Sequence, residues 1–226
     1  MKKWVEIMMP VMLFATVLYF CVFAVLTHRS AQTAAMQPGG TTVVLDAGHG
    51  GEDGGASSRS GVLESTINLE IAKRIEDLLH FAGVRTQMIR TQDISVCTEG
   101  GSIQQKKVSD LKNRVQMVER TPNALLLSIH QNYFPEAKYH GAQVFYRKEE
   151  GSAALANAVQ RALNEAVNLK NEKTEKAIDP SIYLMKNVNA PAILIECGFL
   201  SNEGETALLK SADYQQKLAV VITSGL

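Results

Sequence analysis

The chain alternates between short continuous runs of apolar residues and longer segments in which apolar residues recur every three or four positions. The continuous runs predict buried strands at residues 42–46, 84–90, 124–130, 141–147, 182–185 and 192–197. The periodic segments predict amphipathic helices at residues 67–79, 108–118, 153–169 and from residue 203 onward. Residues 91–109 show no periodicity and predict a loop, with room for a short helical piece. Strands that alternate with helices predict an α/β domain with a largely parallel sheet.

A run of twenty residues without a charge, residues 7–26, follows Lys2 and Lys3 near the N-terminus. This run is long enough to cross a bilayer as a helix. It exceeds the apolar core of a usual signal peptide, which favours an uncleaved signal anchor over a signal peptide cleaved near residues 31–35. The leading lysines indicate that the C-terminal part is exported. We expect a signal peptide or anchor at residues 1–29, a linker at residues 30–41 and one domain at residues 42–226.

The composition is that of an ordinary globular chain, with 46% apolar and 20% charged residues among 226. Its net charge of zero argues against a nucleic-acid partner and is compatible with a mostly uncharged glycan or a peptide. Of the three cysteines, Cys21 lies in the apolar run, and Cys97 and Cys197 are far apart without paired spacing. This predicts neither a disulfide framework nor a cysteine zinc site, although a bridge from Cys97 to Cys197 stays open.

Four polar residues stand where predicted strands end or a predicted helix begins. His49 follows the first strand, His130 ends the strand at 124–130, Glu196 lies near the end of the strand at 192–197, and Glu64 precedes the first helix. Sites in open α/β sheets gather at such ends. Two histidines, one carboxylate and an open position form a catalytic zinc set.

Each of these residues also has a purely structural interpretation. Glu64 could be a favourable charge at a helix N-terminus, His130 a satisfied core residue, and Glu196 the partner of a buried arginine. The loop between Gly48 and Gly61 contains six glycines, but it lacks both the P-loop pattern and the dinucleotide-binding pattern. The joint occurrence of the four residues at loop-facing ends of different elements favours a metal site.

Four ordered motifs carry a family resemblance: LDAGHGG at residues 45–51, Glu64 before a helix, SIHQN at 128–132 and ECGFLSN at 196–202. Together they resemble the zinc-dependent N-acetylmuramoyl-L-alanine amidases of the amidase-3 type. The resemblance implies a single α/β domain with a mostly parallel, six-stranded sheet flanked by helices. It also implies one Zn²⁺ held by His49, Glu64 and His130, and catalysis by Glu196. The reaction would be hydrolysis of the amide bond between N-acetylmuramic acid and L-alanine in peptidoglycan.

Within that family, residues 182–188 and 198–202 and the N-terminal apolar run most resemble the spore-cortex amidases of endospore-forming bacteria. That resemblance implies an exported enzyme, on the outer face of the cytoplasmic or forespore membrane, whose cleavage precedes muramic-δ-lactam formation. Three positions depart from the family pattern: Ala47 replaces a usual proline, Tyr133 a small residue, and Cys197 a usual valine or other apolar residue. None of these departures removes a predicted ligand.

Two other functions stay open from the sequence. One is a zinc carboxypeptidase, in which Arg90 or Arg114 would bind the terminal carboxylate of a stem peptide. The other is a non-catalytic cell-wall-binding protein, which the complete set of four site residues argues against. The expected partners are the glycan strand and stem peptide of peptidoglycan, the membrane through residues 7–26 if they are not cleaved, and an activating protein.

Overall fold

The computed structural model describes residues 40–98, 100–148 and 151–226, so the predicted signal segment and nearly all of the linker lie outside the described residues. The described strands are β1 (Thr42–Ala47), β2 (Arg85–Met88), β3 (Ala124–Asn132), β4 (Gln143–Tyr146), β5 (Lys176–Ala177) and β6 (Ala192–Phe199). The described helices are α1 (Glu64–Phe81), α2 (Ile103–Glu119), α3 (Ser152–Ala166), α4 (Tyr183–Asn187), α5 (Glu203–Leu209) and α6 (Ala212–Ser224). Among these helices, none has the length and apolar character that crossing a membrane requires.

The six strands form one sheet in the order β2-β1-β3-β6-β4-β5. β1 pairs in parallel with β2 and β3, and β3 pairs in parallel with β6. β4 runs antiparallel to β6 and parallel to β5. The predicted mostly parallel sheet of six strands is therefore confirmed. The carboxyl ends of β1, β3 and β6 meet at one edge of the sheet, which is where open α/β sheets place their sites.

Helices cover both faces of the sheet, because alternate residues of each central strand point to opposite faces. Leu45, Leu127 and Ile195 pack into one core together with α1, α3 and α6. Their neighbours Val44, Leu126 and Leu194 pack into a second core with α2 and α4. The residues that face the second core are followed, further along the same strands, by polar residues on the same face of the sheet. They lie where the apolar core gives way to a cleft, and they are Asp46, Ser128, His130 and Glu196.

One predicted element is wrong, and one strand was not predicted. Residues 182–185 were expected to form a strand, but Tyr183–Asn187 forms the short helix α4. Its buried residues are Leu184 and Met185, and Val188 directly after the helix is buried as well; this spacing is helical rather than alternating. The sixth strand is instead β5, whose two residues, Lys176–Ala177, have no apolar pattern that could have predicted it.

In two further segments the structure adds detail to the prediction. The predicted loop at residues 91–109 includes the start of α2, where Ser102 and Gln105 form a reciprocal capping box. The segment from residue 203 onward is helical, as predicted, and is divided into two helices, α5 and α6. Cys97 and Cys197 are both free thiols, so the bridge that the sequence left open is not formed.

Candidate active site

The structure brings the four predicted site residues together at the carboxyl ends of β1, β3 and β6. His49 follows β1, Glu64 is the first residue of α1, and His130 and Glu196 lie opposite each other in the pairing of β3 with β6. His49, Glu64 and His130 each offer a ligand atom, and these atoms all lie within 4.8 Å of one another. The two histidines and the carboxylate thus form a compact triad that could hold a metal ion.

The distances within the triad fit a single small cation. His49 Nε2 lies 3.4 Å from Glu64 Oε2, and His130 Nδ1 lies 2.9 Å from Glu64 Oε1. Ligand atoms arranged tetrahedrally at about 2.0–2.2 Å from a zinc ion are roughly 3.3–3.6 Å apart. The two rings meet edge to face, with centroids 5.2 Å apart. The side chains can therefore surround one ion with only small adjustments.

The glycine-rich loop makes room for this arrangement. A Cβ atom on Gly48 would lie 2.2 Å from Cε1 of His130, so only glycine lets the β1 loop pass beside that ring. Gly55 has φ +69°, and a Cβ atom there would lie 2.6 Å from Glu64 Oε2. His49 itself has φ 62°, a left-handed conformation that few non-glycine residues adopt. The backbone conformation of this loop aims the His49 ring at Glu64.

Several donors around Glu64 hold its carboxylate in place. Oε2 accepts from the backbone N–H of Ala56 at 2.9 Å, and Oε1 accepts from the backbone N–H of Gln131 at 3.1 Å and from Asn68 Nδ2 at 3.3 Å. Asn68 also donates to the carbonyl of Gly48 and accepts from Gln131 Nε2. Burial raises the pKa of Glu64, but hydrogen bonds from His130 and His49 lower it by more, so this pKa lies well below its usual range.

Asp53 orients His49 from the other side. Its Oδ2 lies 2.9 Å from His49 Nδ1, and its Oδ1 lies 3.1 Å from the ammonium of Lys107. A carboxylate bonded to one imidazole nitrogen fixes the tautomer and leaves the other nitrogen free to bind a metal. Burial lowers the pKa of His49, but Glu64 and Asp53 raise it to about 9. The carboxylates around His49 thus favour positive charge next to its ring, and a metal ion at Nε2 would take the place of the proton there.

The sequence pattern did not indicate Asp53, Asn68 or Gln131 as parts of the site. Asp53 follows His49 by four residues, and Asn68 follows Glu64 by four residues within α1. The second spacing places two side chains on the same side of a helix, which is a signal that could have indicated Asn68. Gln131 follows His130 directly and points to the other face of the sheet.

Glu196 lies partly buried in the floor of the cleft, and its Oε2 has no hydrogen-bond partner among the described residues. Burial raises the pKa of Glu196 to about 7, although the charge of His130 acts to lower it. The alternative that Glu196 pairs with a buried arginine is wrong for the two arginines near the site, because both are bonded elsewhere. Glu196 therefore presents a carboxylate with raised proton affinity next to the triad.

The two arginines hold the loop after β1 and are not exposed to a substrate. Arg114 donates to Asp46 Oδ1 and Asp110 Oδ2, each at 2.6 Å, and to the carbonyl of His49 at 2.7 Å. Arg90 donates to the carbonyls of Ala47 and Ser65, each at 2.8 Å. Both side chains are buried. The expectation that a carboxypeptidase could use one of them to bind a terminal carboxylate is therefore not supported.

A cleft of about 420 Å³ opens beside His49, His130 and Glu196. Its floor consists of the ends of β1, β3 and β6, one wall is α2, and the other wall is the segment leading into α4. Leu111 on α2 and Ile182 and Tyr183 at the start of α4 give the walls an apolar character. A metal-binding triad, an unpaired carboxylate and a cleft beside them are together the parts of a metal-dependent hydrolase.

Fold and site thus define a hydrolase of the α/β class with a metal-binding triad. The chain belongs to the N-acetylmuramoyl-L-alanine amidase family, whose model matches residues 43–226. It is 34% identical to the germination-specific N-acetylmuramoyl-L-alanine amidase of Bacillus subtilis, across 99% of this chain and 93% of that protein. The predicted family, its enzyme class and the narrower resemblance to germination-specific amidases are confirmed.

Solved structures agree with this assignment. The CwlD amidase of Clostridioides difficile, solved in complex with the GerS lipoprotein, has a TM-score of 0.79 and 39% identity, covering 81% of this chain and 95% of that chain. The catalytic domain of the N-acetylmuramoyl-L-alanine amidase CwlV of Bacillus (Paenibacillus) polymyxa has a TM-score of 0.69 and 29% identity, covering 82% and 95%. The match to CwlD extends over most of the described domain.

Proposed function

We propose that the domain at residues 42–226 hydrolyses the amide bond between N-acetylmuramic acid and L-alanine in peptidoglycan, with one zinc ion. We further propose that the substrate is spore-cortex peptidoglycan on its way to muramic-δ-lactam. The observation that carries the proposal is the convergence of His49, Glu64 and His130 beside the unpaired carboxylate of Glu196. The similarity to a germination-specific amidase supports the choice of bond and of cortex substrate.

His49, Glu64 and His130 would hold the ion, since two imidazole nitrogens and one carboxylate are a frequent ligand set of catalytic zinc. When bound, zinc lowers the pKa of a water molecule and polarises the scissile carbonyl. Asp53 keeps Nε2 of His49 available, and the donors around Glu64 fix the orientation of that carboxylate. These contacts prepare the three ligands before an ion arrives.

Glu196 would act as the general base and then as the general acid. Its free Oε2 can accept the proton of the attacking water, and its raised pKa lets the carboxyl group hold that proton. The proton then passes to the nitrogen of L-alanine as the amide bond breaks. The products are a glycan strand without that peptide and a free stem peptide.

We also propose that the enzyme acts outside the cytoplasm, held at the outer face of the cytoplasmic or forespore membrane through residues 7–26 if they are not cleaved. An activating protein partner is part of this proposal. Its support is the CwlD amidase of Clostridioides difficile, which was solved in complex with a lipoprotein. Such a partner would order the loops around the triad or improve retention of the metal.

Replacing Glu196 tests the role of the general base. Glu196→Gln should keep about one equivalent of zinc, because this residue is not a ligand, and should reduce amide cleavage by at least about 100-fold. Mass spectrometry of digested peptidoglycan would detect release of whole stem peptides. The matched control is Glu203→Gln, an exposed glutamate on α5. Undiminished activity of Glu196→Gln would exclude the general-base role, and loss of only a terminal residue by the wild type would indicate a carboxypeptidase.

Replacing the ligands tests the metal site. His49→Ala and Glu64→Ala should each lose zinc, because a site with only two protein ligands binds the ion weakly. Zinc content after gel filtration, measured by atomic emission, gives the result independently of activity. Asp77→Ala, an exposed carboxylate on the same helix as Glu64, is the control and should keep its zinc. If both ligand variants bind zinc as tightly as the wild type, the proposed ligand set is wrong.

A further inference from the structure

One face of α2 forms a wall of the cleft. Four residues of α2 line the cleft: Lys107, Asp110, Leu111 and Arg114. Their spacing places the four side chains on one side of the helix. The opposite wall includes Ile182 and Tyr183, which are apolar or aromatic. A substrate whose scissile bond lies at the triad would therefore extend between these two walls.

The two cations of this wall differ in availability. Arg114 is buried and saturated by Asp46, Asp110 and backbone carbonyls. The side chain of Lys107 is 53% exposed, and its bond to Asp53 uses one of three ammonium donors. Among the described residues that line the cleft, Lys107 is the cation with donors free for a ligand.

The ammonium of Lys107 lies close to the triad. Asp53 bridges the two, with Oδ1 3.1 Å from Lys107 Nζ and Oδ2 2.9 Å from His49 Nδ1. One carboxylate and two hydrogen bonds thus separate the ammonium from a candidate metal ligand. Two extended residues of a peptide span about 7 Å, so a group near the scissile amide can reach Lys107 from the triad.

The carboxylates of the cleft would oppose an anionic peptide. Asp53 and Glu196 both line it, and a carboxylate that approaches them unpaired is repelled. A cation at the position of Lys107 offsets that repulsion locally and provides hydrogen-bond donors for an acid. Lys107 is therefore placed to influence whether the cleft accepts a peptide with a free carboxylate.

We propose that Lys107 binds a carboxylate of the stem peptide, on the residue that follows L-alanine, and that it makes the enzyme prefer the free acid over the amide at that position. This inference rests on the proposed function, which places the scissile amide at the triad. Lys107 is then a specificity-determining residue, and the ligand chemistry is a peptide carboxylate close to the cleaved bond.

Two synthetic muropeptides that differ only at that carboxyl group provide the test, one with D-isoglutamate and one with D-isoglutamine as the second residue. The wild type should show about threefold to fivefold higher kcat/KM for the free acid, mainly through KM, as an exposed ion pair allows. Lys107→Gln should make the two substrates equivalent, and Lys107→Arg should retain the preference. Lys106→Gln is the matched control, since Lys106 pairs with Glu52 and does not line the cleft.

Other outcomes overturn the inference. If Lys107→Gln keeps the full preference for the free acid, or loses activity equally on both substrates, Lys107 does not bind the carboxylate. An equal loss of activity together with lower zinc affinity would mean that Lys107 supports His49 instead. Should the wild type cleave neither muropeptide, the proposed function fails first. Calorimetric binding of the two uncleaved muropeptides to wild type and Lys107→Gln would then decide on Lys107 separately.

Discussion

Asn68 connects three parts of the site through one amide group. It donates to Glu64 Oε1 and to the carbonyl of Gly48, and it accepts from Gln131. A buried amide with several bonds restricts the rotation of the groups that it touches, because breaking any bond leaves a buried polar atom without a partner. Asn68 therefore couples the orientation of Glu64 to the loop that carries His49.

We predict that Asn68→Ala lowers zinc affinity by about 10-fold to 100-fold, as loss of a group supporting a metal ligand typically does. Competition with a chromophoric chelator would measure the dissociation constant, and a thermal melt would show whether the fold is retained. Asn157→Ala is the control, because Asn157 is exposed on α3 and bonds only Glu175 in the described structure. Unchanged affinity in Asn68→Ala would mean that Glu64 needs no support from this amide.

At the residue scale, the sequence predicts the residues that stand at strand ends but not those that support them. His49, His130 and Glu196 could be found because each follows or ends an apolar run, where the sheet edge collects side chains. Asp53 and Asn68 lie among other polar residues in a loop and on a helix. Only the folded loop shows which of those polar side chains points at a ligand, so their roles depended on the structure.

A buried ion pair ties β1 to α2. Arg114 Nη1 lies 2.6 Å from Asp46 Oδ1, and Ser128 Oγ donates to Asp46 Oδ2 at 2.6 Å. Both charged side chains are almost completely buried. We predict that Asp46→Asn lowers the free energy of unfolding by about 3–5 kcal/mol, because it leaves part of the Arg114 charge buried without a counter-charge. Urea denaturation followed by circular dichroism would measure the difference; a loss below about 1 kcal/mol would contradict it.

The ion pair of Asp46 and Arg114 makes the stability difference between wild type and Asp46→Asn depend on pH. Burial raises the pKa of Asp46, but Arg114, His130 and Ser128 lower it by more, so the folded-state pKa lies below the usual value of about 3.9. The stabilisation is therefore present above about pH 4 and is lost as the pH falls through the folded-state pKa. The gap between wild type and Asp46→Asn should shrink in acid, and a constant gap down to about pH 3 would argue against an ionised Asp46.

At the element scale, long periodic segments were predictable and short ones were not. α1 and α3 follow clear apolar periodicity, and the central strands β3 and β6 are continuous apolar runs. The run at residues 182–185 is too short to distinguish a strand from one helical turn. It became a helix because Leu184, Met185 and Val188 pack into the same core beneath α2. β5 is defined by its pairing with β4, which the sequence of two residues does not indicate.

The triad links separate parts of the whole domain. His49 follows β1, His130 belongs to β3, and Glu64 begins α1, which packs on the sheet. Residues from three elements form the site only in the folded chain, so an ion bound there stabilises the folded state relative to the unfolded one. Metal binding and global stability are therefore linked, whatever the substrate.

We predict that zinc raises the melting temperature of the domain and that a chelator reverses the rise. At a free concentration of 100 times the dissociation constant, the added stability is about 2.7 kcal/mol. At about 2–4 °C per kcal/mol for a domain of this size, the melting temperature should rise by roughly 5–10 °C.

Differential scanning calorimetry with zinc, and then with excess chelator, measures this shift without any substrate. His49→Ala is the informative comparison, because it should melt at the same temperature with and without zinc if the ion acts at the triad. A zinc-dependent rise of equal size in His49→Ala would place the stabilising ion elsewhere on the surface. Absence of a rise in the wild type, at zinc concentrations where its metal content reaches one equivalent, would contradict the link between the triad and global stability.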